Sequence, residues 1–113
     1  MAGMNIVIFP VRNIDKAKPV YTTLLGIEPY MDQPYYVGYR TGDQEIGLDP
    51  SGHDKGMTGP VGYLEVEDIT ASLAALVAAG ASVKDGVSDV GGGKLIATVT
   101  DPDGNSLGLA QSP

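Results

Sequence analysis

The chain has 113 residues, 42% of them apolar, which is enough for a real core and predicts a single domain over residues 1–113. It contains no cysteine, which excludes disulfides, zinc–thiolate sites and thiol nucleophiles and fits a cytoplasmic location. The formal net charge of −7, with seven scattered Lys and Arg residues, argues against nucleic acid as a partner, and no apolar run approaches membrane-spanning length.

The first half of the chain predicts a strand, a helix and three more strands. Residues 5–11 form an apolar, β-branched run that is typical of a strand. Asn13 is a suitable N-cap and Gly26 a suitable terminator for the helix between them, although Pro19 predicts a late start or a kink. Three strand patterns follow at 27–32, 35–41 and 44–49, with a Gly42-Asp43 hairpin turn between the last two.

The same order recurs after a polar loop at residues 50–59. A strand pattern at 60–66 precedes Asp68, which is a suitable cap for a helix whose apolar residues recur at i, i+4, i+7 and i+8. Gly80 ends that helix, and strand patterns follow at 81–88, 94–100 and 106–110. The second half therefore predicts the same sequence of elements as the first.

The two halves also align residue by residue. Residues 11–14 (Val-Arg-Asn-Ile) match residues 66–69 (Val-Glu-Asp-Ile), and Gly47-Leu48 matches Gly108-Leu109. Leu25-Gly26 matches Ala79-Gly80 in the same way. This repetition predicts an internal duplication: an α+β fold of two βαβββ modules, at residues of about 4–50 and 60–111, with a mixed, mostly antiparallel sheet.

Alternation along the strands sorts their side chains onto two faces. One face is expected to pack under the helices and carries Val7, Phe9, Val11, Ile46, Leu48, Leu64, Val66, Leu107 and Leu109. The opposite face carries Ile6, Ile8, Pro10, Glu45, Gly47, Asp49, Val61, Tyr63, Glu65, Ser106, Gly108 and Ala110. Its glycines leave room and its mixed chemistry suits a ligand pocket, while a solvated face or a dimer interface is the alternative.

Several stretches of the chain are characteristic of one superfamily. The most specific are residues 80–83 (Gly-Ala-Ser-Val), Gly93 and residues 101–105 (Asp-Pro-Asp-Gly-Asn), with looser agreement at 11–14, Tyr21 and Leu25-Gly26. The chain resembles the vicinal oxygen chelate superfamily, which includes glyoxalase I, extradiol dioxygenases, fosfomycin-modifying enzymes and bleomycin-resistance proteins. The resemblance implies paired modules around a cupped sheet, with the helices on its convex side, usually in a homodimer.

Metal-dependent members of that superfamily carry His or Glu on the first, fourth, fifth and eighth strands. The resemblance places these positions at Ile6, Gly47, Val61 and Gly108, with Gly62 as the alternative on the fifth strand. None of these residues has a side chain that can bind a divalent metal. No metal and no other cofactor is therefore expected.

Carboxylates and tyrosines on the predicted pocket face supply candidate contacts. Glu45 and Glu65 are weak candidates for a general base and could equally hold a cationic ligand or face water at the rim. Tyr39 and Tyr63 could stack against a planar or cationic ligand, although strand tyrosines are also ordinary packing residues.

His53, the one histidine, lies in the polar loop with Asp54 and close in sequence to Asp49. The three side chains could form a small metal or acid–base cluster. A surface histidine is the competing interpretation, because nothing in a loop rich in Gly and Pro fixes the geometry.

The lead hypothesis is a metal-free small-molecule-binding protein that resembles the bleomycin-resistance branch, acts as a homodimer and sequesters a cationic or aromatic compound. Its expected contacts are Tyr39, Glu45, Tyr63 and Glu65, over a floor of Ile6, Gly47, Val61 and Gly108. The alternative is a glyoxalase- or dioxygenase-type enzyme with unusual metal ligands or with metal-free acid–base chemistry at Glu45 or Glu65. A third hypothesis is a structural or regulatory dimer whose cup is filled by its own side chains.

Overall fold

The computed structural model describes residues 3–113 and divides into two compact units. One unit is Ile6–Val61, and the other is Gly62–Pro113 together with residues 3–5. The order of elements is βαβββ followed by βαβββ, which confirms the predicted α+β class and the duplication. The single domain and the cup stay predictions. Within residues 3–113, neither helix has the length and hydropathy to cross a bilayer.

The first module consists of five elements in the predicted order. They are β1 (Ile6–Pro10), α1 (Ile14–Leu25), β2 (Met31–Gln33), β3 (Tyr36–Thr41) and β4 (Gln44–Asp49). The strand order is β2-β3-β4-β1. β1 runs parallel to β4, while β2/β3 and β3/β4 are antiparallel.

The second module repeats this arrangement. Its elements are β5 (Val61–Glu65), α2 (Ile69–Ala78), β6 (Ser82–Asp89), β7 (Leu95–Thr100) and β8 (Ser106–Gln111). The strand order is β5-β8-β7-β6, with β5 parallel to β8 and the other two pairs antiparallel. A short 3₁₀ helix, His53–Lys55, lies in the loop before β5.

Each helix begins at the residue after its predicted cap. The Asn13 side chain accepts a hydrogen bond from the backbone N–H of Lys16, and that of Asp68 accepts one from Ala71, each at 3.1 Å. α1 therefore starts at Ile14 and continues through Pro19, so the predicted late start is wrong. The cap satisfies the first turn, and Pro19 removes only one internal N–H donor, so the helix continues past it.

Most of the predicted helix-facing residues belong to the core of their module, whereas Leu107 is in neither core cluster. In the first, Val11, Val37, Tyr39, Ile46 and Leu48 are buried, with Val7, Phe9 and residues of α1 packed against them. The Phe9 and Tyr21 rings meet at a centroid distance of 5.2 Å, which joins β1 to α1. In the second, Ile69, Ala97 and Leu109 are buried beneath Leu64, Val66, Leu73, Leu76 and Leu95.

The second strand differs most from its predicted bounds. Residues 27–32 carried the pattern, but β2 is Met31–Gln33. Pro29 has no N–H to donate and restricts the residue before it, so pairing begins only beyond it. Ile27 packs instead against the core of the first module.

Candidate functional site

The strand register fixes which side chains share the face turned away from the helix in each module. In the first module Gly47 lies between Ile8 of β1 and Gly38 of β3. The adjacent residues Val37, Ile46 and Leu48 point into the core under α1. Because successive residues of a strand face opposite sides, Ile8, Gly38 and Gly47 lie on the side away from the helix. We call this second surface the helix-free face of its module.

Two tyrosine rings lie across the glycines of the helix-free face in the first module. A Cβ atom added to Gly38 would be 2.9 Å from Cε1 of Tyr30 and 2.9 Å from Cε2 of Tyr36. A Cβ atom added to Gly47 would overlap the Tyr36 hydroxyl and lie 2.7 Å from Cδ1 of Ile8. The room that the two glycines leave is therefore filled by aromatic side chains of the same module.

Glu45 ties these two rings together at their hydroxyl ends. Tyr36 donates a hydrogen bond to Oε2 of Glu45 at 2.6 Å, and Tyr30 donates one to Oε1 at 2.8 Å. The Glu45 side chain is only 19% exposed. A carboxylate with charge-assisted hydrogen bonds to both oxygens is held in a fixed position.

Arg40 completes the group. Its Nη2 atom lies 3.2 Å from Oε1 of Glu45, its neighbour across the β3–β4 pair. Its guanidinium carbon lies 4.2 Å from the centroid of the Tyr30 ring, a cation–π geometry. We refer to Tyr30, Tyr36, Arg40 and Glu45 as the aromatic–carboxylate cluster.

The cluster keeps Glu45 ionised and its tyrosines protonated. Burial by itself would raise the pKa of Glu45, but hydrogen bonds from Tyr36, Tyr30 and Arg40 outweigh it and bring the pKa below its ordinary value. Burial, followed by the bond to Glu45, raises the pKa of both Tyr30 and Tyr36. At neutral pH the cluster therefore presents a carboxylate, two phenol donors and one guanidinium.

The helix-free face of the second module has a related glycine but different polar groups. A Cβ atom added to Gly108 would overlap the Tyr63 ring, whose residue pairs with Gly108 between β5 and β8. The Ser112 hydroxyl donates a hydrogen bond to the Glu65 carboxylate. The Thr98 hydroxyl donates one to Asp85 at 2.8 Å.

The structure places most of the predicted contacts on the helix-free faces. Ile6 and Glu45 are neighbours across the β1–β4 pair, and Tyr63 is the neighbour of Gly108. The two glycines of the predicted pocket floor do not leave open space, however, because tyrosine rings cover Gly47 and Gly108. Of the remaining predicted residues, Val61 is buried and Glu65 is half-buried on β5.

Tyr39 is a correction. It pairs with Ile46 and is fully buried in the core under α1, so its ring does not reach the helix-free face. Its hydroxyl donates to the Lys18 carbonyl at 3.1 Å and lies 2.8 Å from the Thr22 hydroxyl. The predicted ligand contact at Tyr39 is therefore wrong, and this tyrosine anchors a strand to a helix.

Tyr30, Tyr36 and Arg40 were not among the predicted site residues. A signal for two of them was present, because a two-residue turn at positions 42 and 43 places Arg40 opposite Glu45. Tyr36 then has the same parity as Arg40. Tyr30 falls inside the predicted strand at 27–32 but precedes β2 in the structure, so strand alternation does not indicate where its ring lies.

The loop histidine does not assemble the suggested cluster. The carboxylate of Asp49 instead accepts hydrogen bonds from the Ser51 N–H at 2.8 Å and the Lys55 ammonium at 2.9 Å. Over residues 3–113, no group of three or more His, Cys, Asp or Glu side chains is placed to hold a metal ion. His53 lies in the short 3₁₀ helix.

A comparison with protein families finds a match to nearly the whole chain. The model of the Glyoxalase/Bleomycin resistance protein/Dioxygenase superfamily matches residues 3–109. No curated protein sequence matches the chain.

Solved structures with the same fold include proteins with different described activities. A structure described as the NAD-dependent benzaldehyde dehydrogenase from Legionella pneumophila has a TM-score of 0.78 and 17% identity, over 96% of this chain and 98% of that one. The Mn(II)-bound glyoxalase from Novosphingobium aromaticivorans has a TM-score of 0.68 and 19% identity, over 95% and 38%. Methylmalonyl-CoA epimerase from Mycobacterium tuberculosis has a TM-score of 0.68 and 16% identity, over 96% and 87%. At these identities the similarity shows the fold alone.

Proposed function

Since the chain belongs to the Glyoxalase/Bleomycin resistance protein/Dioxygenase superfamily, we propose that it binds a small organic molecule without a coordinated metal ion, in the manner of a bleomycin-resistance protein. The observation that carries the proposal is the aromatic–carboxylate cluster. Two tyrosine rings and a fixed carboxylate share one face of the first module, next to Ile6 and Ile8. Such a combination suits a ligand with a planar or cationic group.

The residues present do not fit the metal site that the superfamily resemblance implies. The four positions hold Ile6, Gly47, Val61 and Gly108, none with a donor side chain. A longer side chain at Gly47 would overlap Tyr36, and one at Gly108 would overlap Tyr63. The sequence thus lacks the chelating groups, and the side-chain packing leaves no space for them at the two glycine positions.

The hydrogen bonding of Glu45 argues against a role for this carboxylate as a general base. Its pKa lies below the ordinary value because three donors stabilise the ionised form, which makes the carboxylate a weaker base. Both of its oxygens already accept hydrogen bonds. Metal-free acid–base catalysis, the alternative activity, would then depend on Glu65 and not on Glu45.

A thermal-shift screen tests the binding proposal. We expect planar cationic and aromatic compounds to raise Tm by several degrees at saturating concentration, because a ligand that binds only the folded state stabilises it. The double variant Tyr30→Leu/Tyr36→Leu should lose this shift relative to its own Tm. Tyr35→Leu is the matched control, since Tyr35 is 68% exposed and outside the cluster.

The same screen includes Zn²⁺, Ni²⁺, Mn²⁺ and Fe²⁺ after treatment with a chelator. A rise in Tm with one of these ions, and with no organic compound, would contradict the proposal and favour a metalloenzyme with unusual ligands. A compound whose shift is equal in the native protein and in the double variant binds elsewhere, and this result would also count against the proposed site.

A further inference from the structure

Arg40 makes two contacts that an organic cation would also make. Its guanidinium lies over the Tyr30 ring, 4.2 Å from the centroid, and 3.2 Å from a carboxylate oxygen of Glu45. An aromatic face combined with a carboxylate is the chemistry that binds guanidinium and ammonium groups. The side chain thus fills a cation site with a cation from the same module.

The two halves of this interaction differ in how firmly they are held. The Glu45 carboxylate is 19% exposed and is fixed by two tyrosine hydroxyls, whereas the Arg40 side chain is 60% exposed. Exposed cation–π contacts and exposed ion pairs are individually weak. Tyr30, Tyr36 and Glu45 therefore form a preorganised cation-binding site, and the Arg40 guanidinium is held in it only weakly.

The duplication shows that the fold does not require this arrangement. Gly38 pairs with Gly47 as Thr98 pairs with Gly108, so the two modules can be equated position by position. The equivalents of Tyr36, Arg40 and Glu45 are then Ile96, Thr100 and Ser106. The second module folds in the same way with none of these aromatic or charged groups.

We infer that Arg40 is a tethered occupant of a cation-binding site, and that the ligand of this protein carries a guanidinium, amidinium or quaternary ammonium group that displaces it from Tyr30 and Glu45. This inference rests on the proposed binding function of the same face. Displacement swings the Arg40 side chain into solvent and lets the ligand cation take over both contacts. Arg40 then acts as an internal competitor that sets the affinity.

Calorimetric titration with benzamidine, a planar amidinium, tests the inference. In Arg40→Met the competitor is gone while the aliphatic stem is kept, so benzamidine should bind about tenfold more tightly than to the native protein, the combined value of one exposed cation–π contact and one exposed ion pair. Adding Glu45→Gln to this variant should abolish the gain. Arg40→Gln serves the same purpose if the Met variant is unstable.

Two controls isolate the effect. Arg12→Met removes the same charge from an exposed position of the same module and should leave the affinity for benzamidine unchanged. Benzamide, the neutral isostere, should bind the native protein and Arg40→Met equally. Circular dichroism and Tm verify that each variant is folded.

The outcomes separate this inference from the function on which it rests. If Arg40→Met binds benzamidine no more tightly than the native protein, while aromatic compounds still bind in a Tyr30- and Tyr36-dependent way, the inference fails and the binding function stands. If benzoate binds the native protein and this is lost in Arg40→Met, Arg40 is a receptor for anions and the inference is again wrong. If no probe binds any variant, both proposals fail.

Discussion

Gly47 and Gly108 occupy equivalent positions in the two modules, each beneath a tyrosine ring. A side chain at Gly47 would meet Tyr36 and Ile8, and one at Gly108 would meet Cγ of Tyr63 at 2.5 Å. Strand glycines weaken a sheet unless something must approach the backbone closely. Here the group that approaches is a ring of the same module, so the two glycines serve packing as well as any ligand.

We expect Gly47→Ala and Gly108→Ala each to lower the free energy of unfolding by about 1–3 kcal/mol, the usual range for an overpacked position. Neither backbone has a positive φ, so steric overlap is the cause. Gly86→Ala is the matched control, because Gly86 is also a strand glycine and has nothing within 4 Å of an added Cβ. Urea denaturation measures all three, and equal losses at Gly47 and Gly86 would contradict the explanation.

Tyr39 shows what strand alternation can predict about a single residue. The hairpin turn at Gly42-Asp43 was predicted, and it already implies that Tyr39 pairs with Ile46 on the core side. Parity would therefore have placed Tyr39 correctly and Arg40 beside Glu45. The rings over Gly38 and Gly47 could not be predicted, because the direction of a tyrosine side chain depends on tertiary packing and not on strand alternation.

At the scale of elements, Tyr39 connects β3 to α1 through its hydroxyl. Tyr39→Phe removes the donor to the Lys18 carbonyl and the partner of Thr22, so we expect a loss of about 1 kcal/mol in the free energy of unfolding. Tyr35→Phe, which alters an exposed hydroxyl, should cost much less. Chemical denaturation at neutral pH compares the two, and a neutral effect of Tyr39→Phe would show that water replaces the lost bonds.

Glu45, in the β3–β4 hairpin, makes a pH-dependent contribution to the free energy of unfolding. Its folded-state pKa is depressed, so the stabilisation is present above the ordinary Glu pKa and is lost as pH falls through the lower, folded-state pKa. We expect the stability advantage of the native protein over Glu45→Gln, about 1 kcal/mol once solvent screening is allowed for, to shrink between about pH 5 and pH 3.

Urea denaturation of both proteins at several pH values measures this difference directly, because urea is uncharged and does not screen the contacts of Glu45. Glu28→Gln is the control, because Glu28 is an exposed carboxylate in the same module, and its difference from the native protein should vary little. A difference at Glu45 that stays constant down to pH 3 or grows with acidity would show that the cluster does not stabilise the ionised form.

The bounds of a helix or strand can be predicted when they depend on residues close by in the sequence. Caps and hairpin turns are short-range, and the bounds of α1, α2 and β4 follow directly from Asn13, Asp68 and the turn at Gly42-Asp43. β2 was placed wrongly because Pro29 interrupts an apolar pattern that continues through Ile27. The 3₁₀ helix at His53–Lys55 has no apolar periodicity and was not predicted.

At the scale of the whole molecule, the duplication is predictable from the sequence and the difference between the two modules is not. The repeat is encoded in cap, turn and strand patterns that recur in both halves, and the registers Ile8–Gly47 and Tyr63–Gly108 confirm it. The cluster exists in one module only, because its formation needs Tyr30, a residue between elements, to reach Glu45. Duplication thus supplies two equal frameworks, and a few differences in sequence give one of them the aromatic–carboxylate cluster, the proposed binding site.

The excess of acidic groups gives the last prediction. With 14 Asp and Glu against 7 Lys and Arg, the chain attracts cations over distances that salt screens. We therefore expect the affinity of Arg40→Met for benzamidine to fall severalfold as NaCl rises from about 20 mM to about 500 mM, while that for benzamide stays constant. Titrations at four salt concentrations measure the two slopes. Because the Glu45 carboxylate is part of the proposed site, Arg40→Met/Glu45→Gln should give a shallower slope for whatever binding it retains. Equal slopes for the charged and neutral probes would mean that the negative charge of the chain has no part in selecting the ligand.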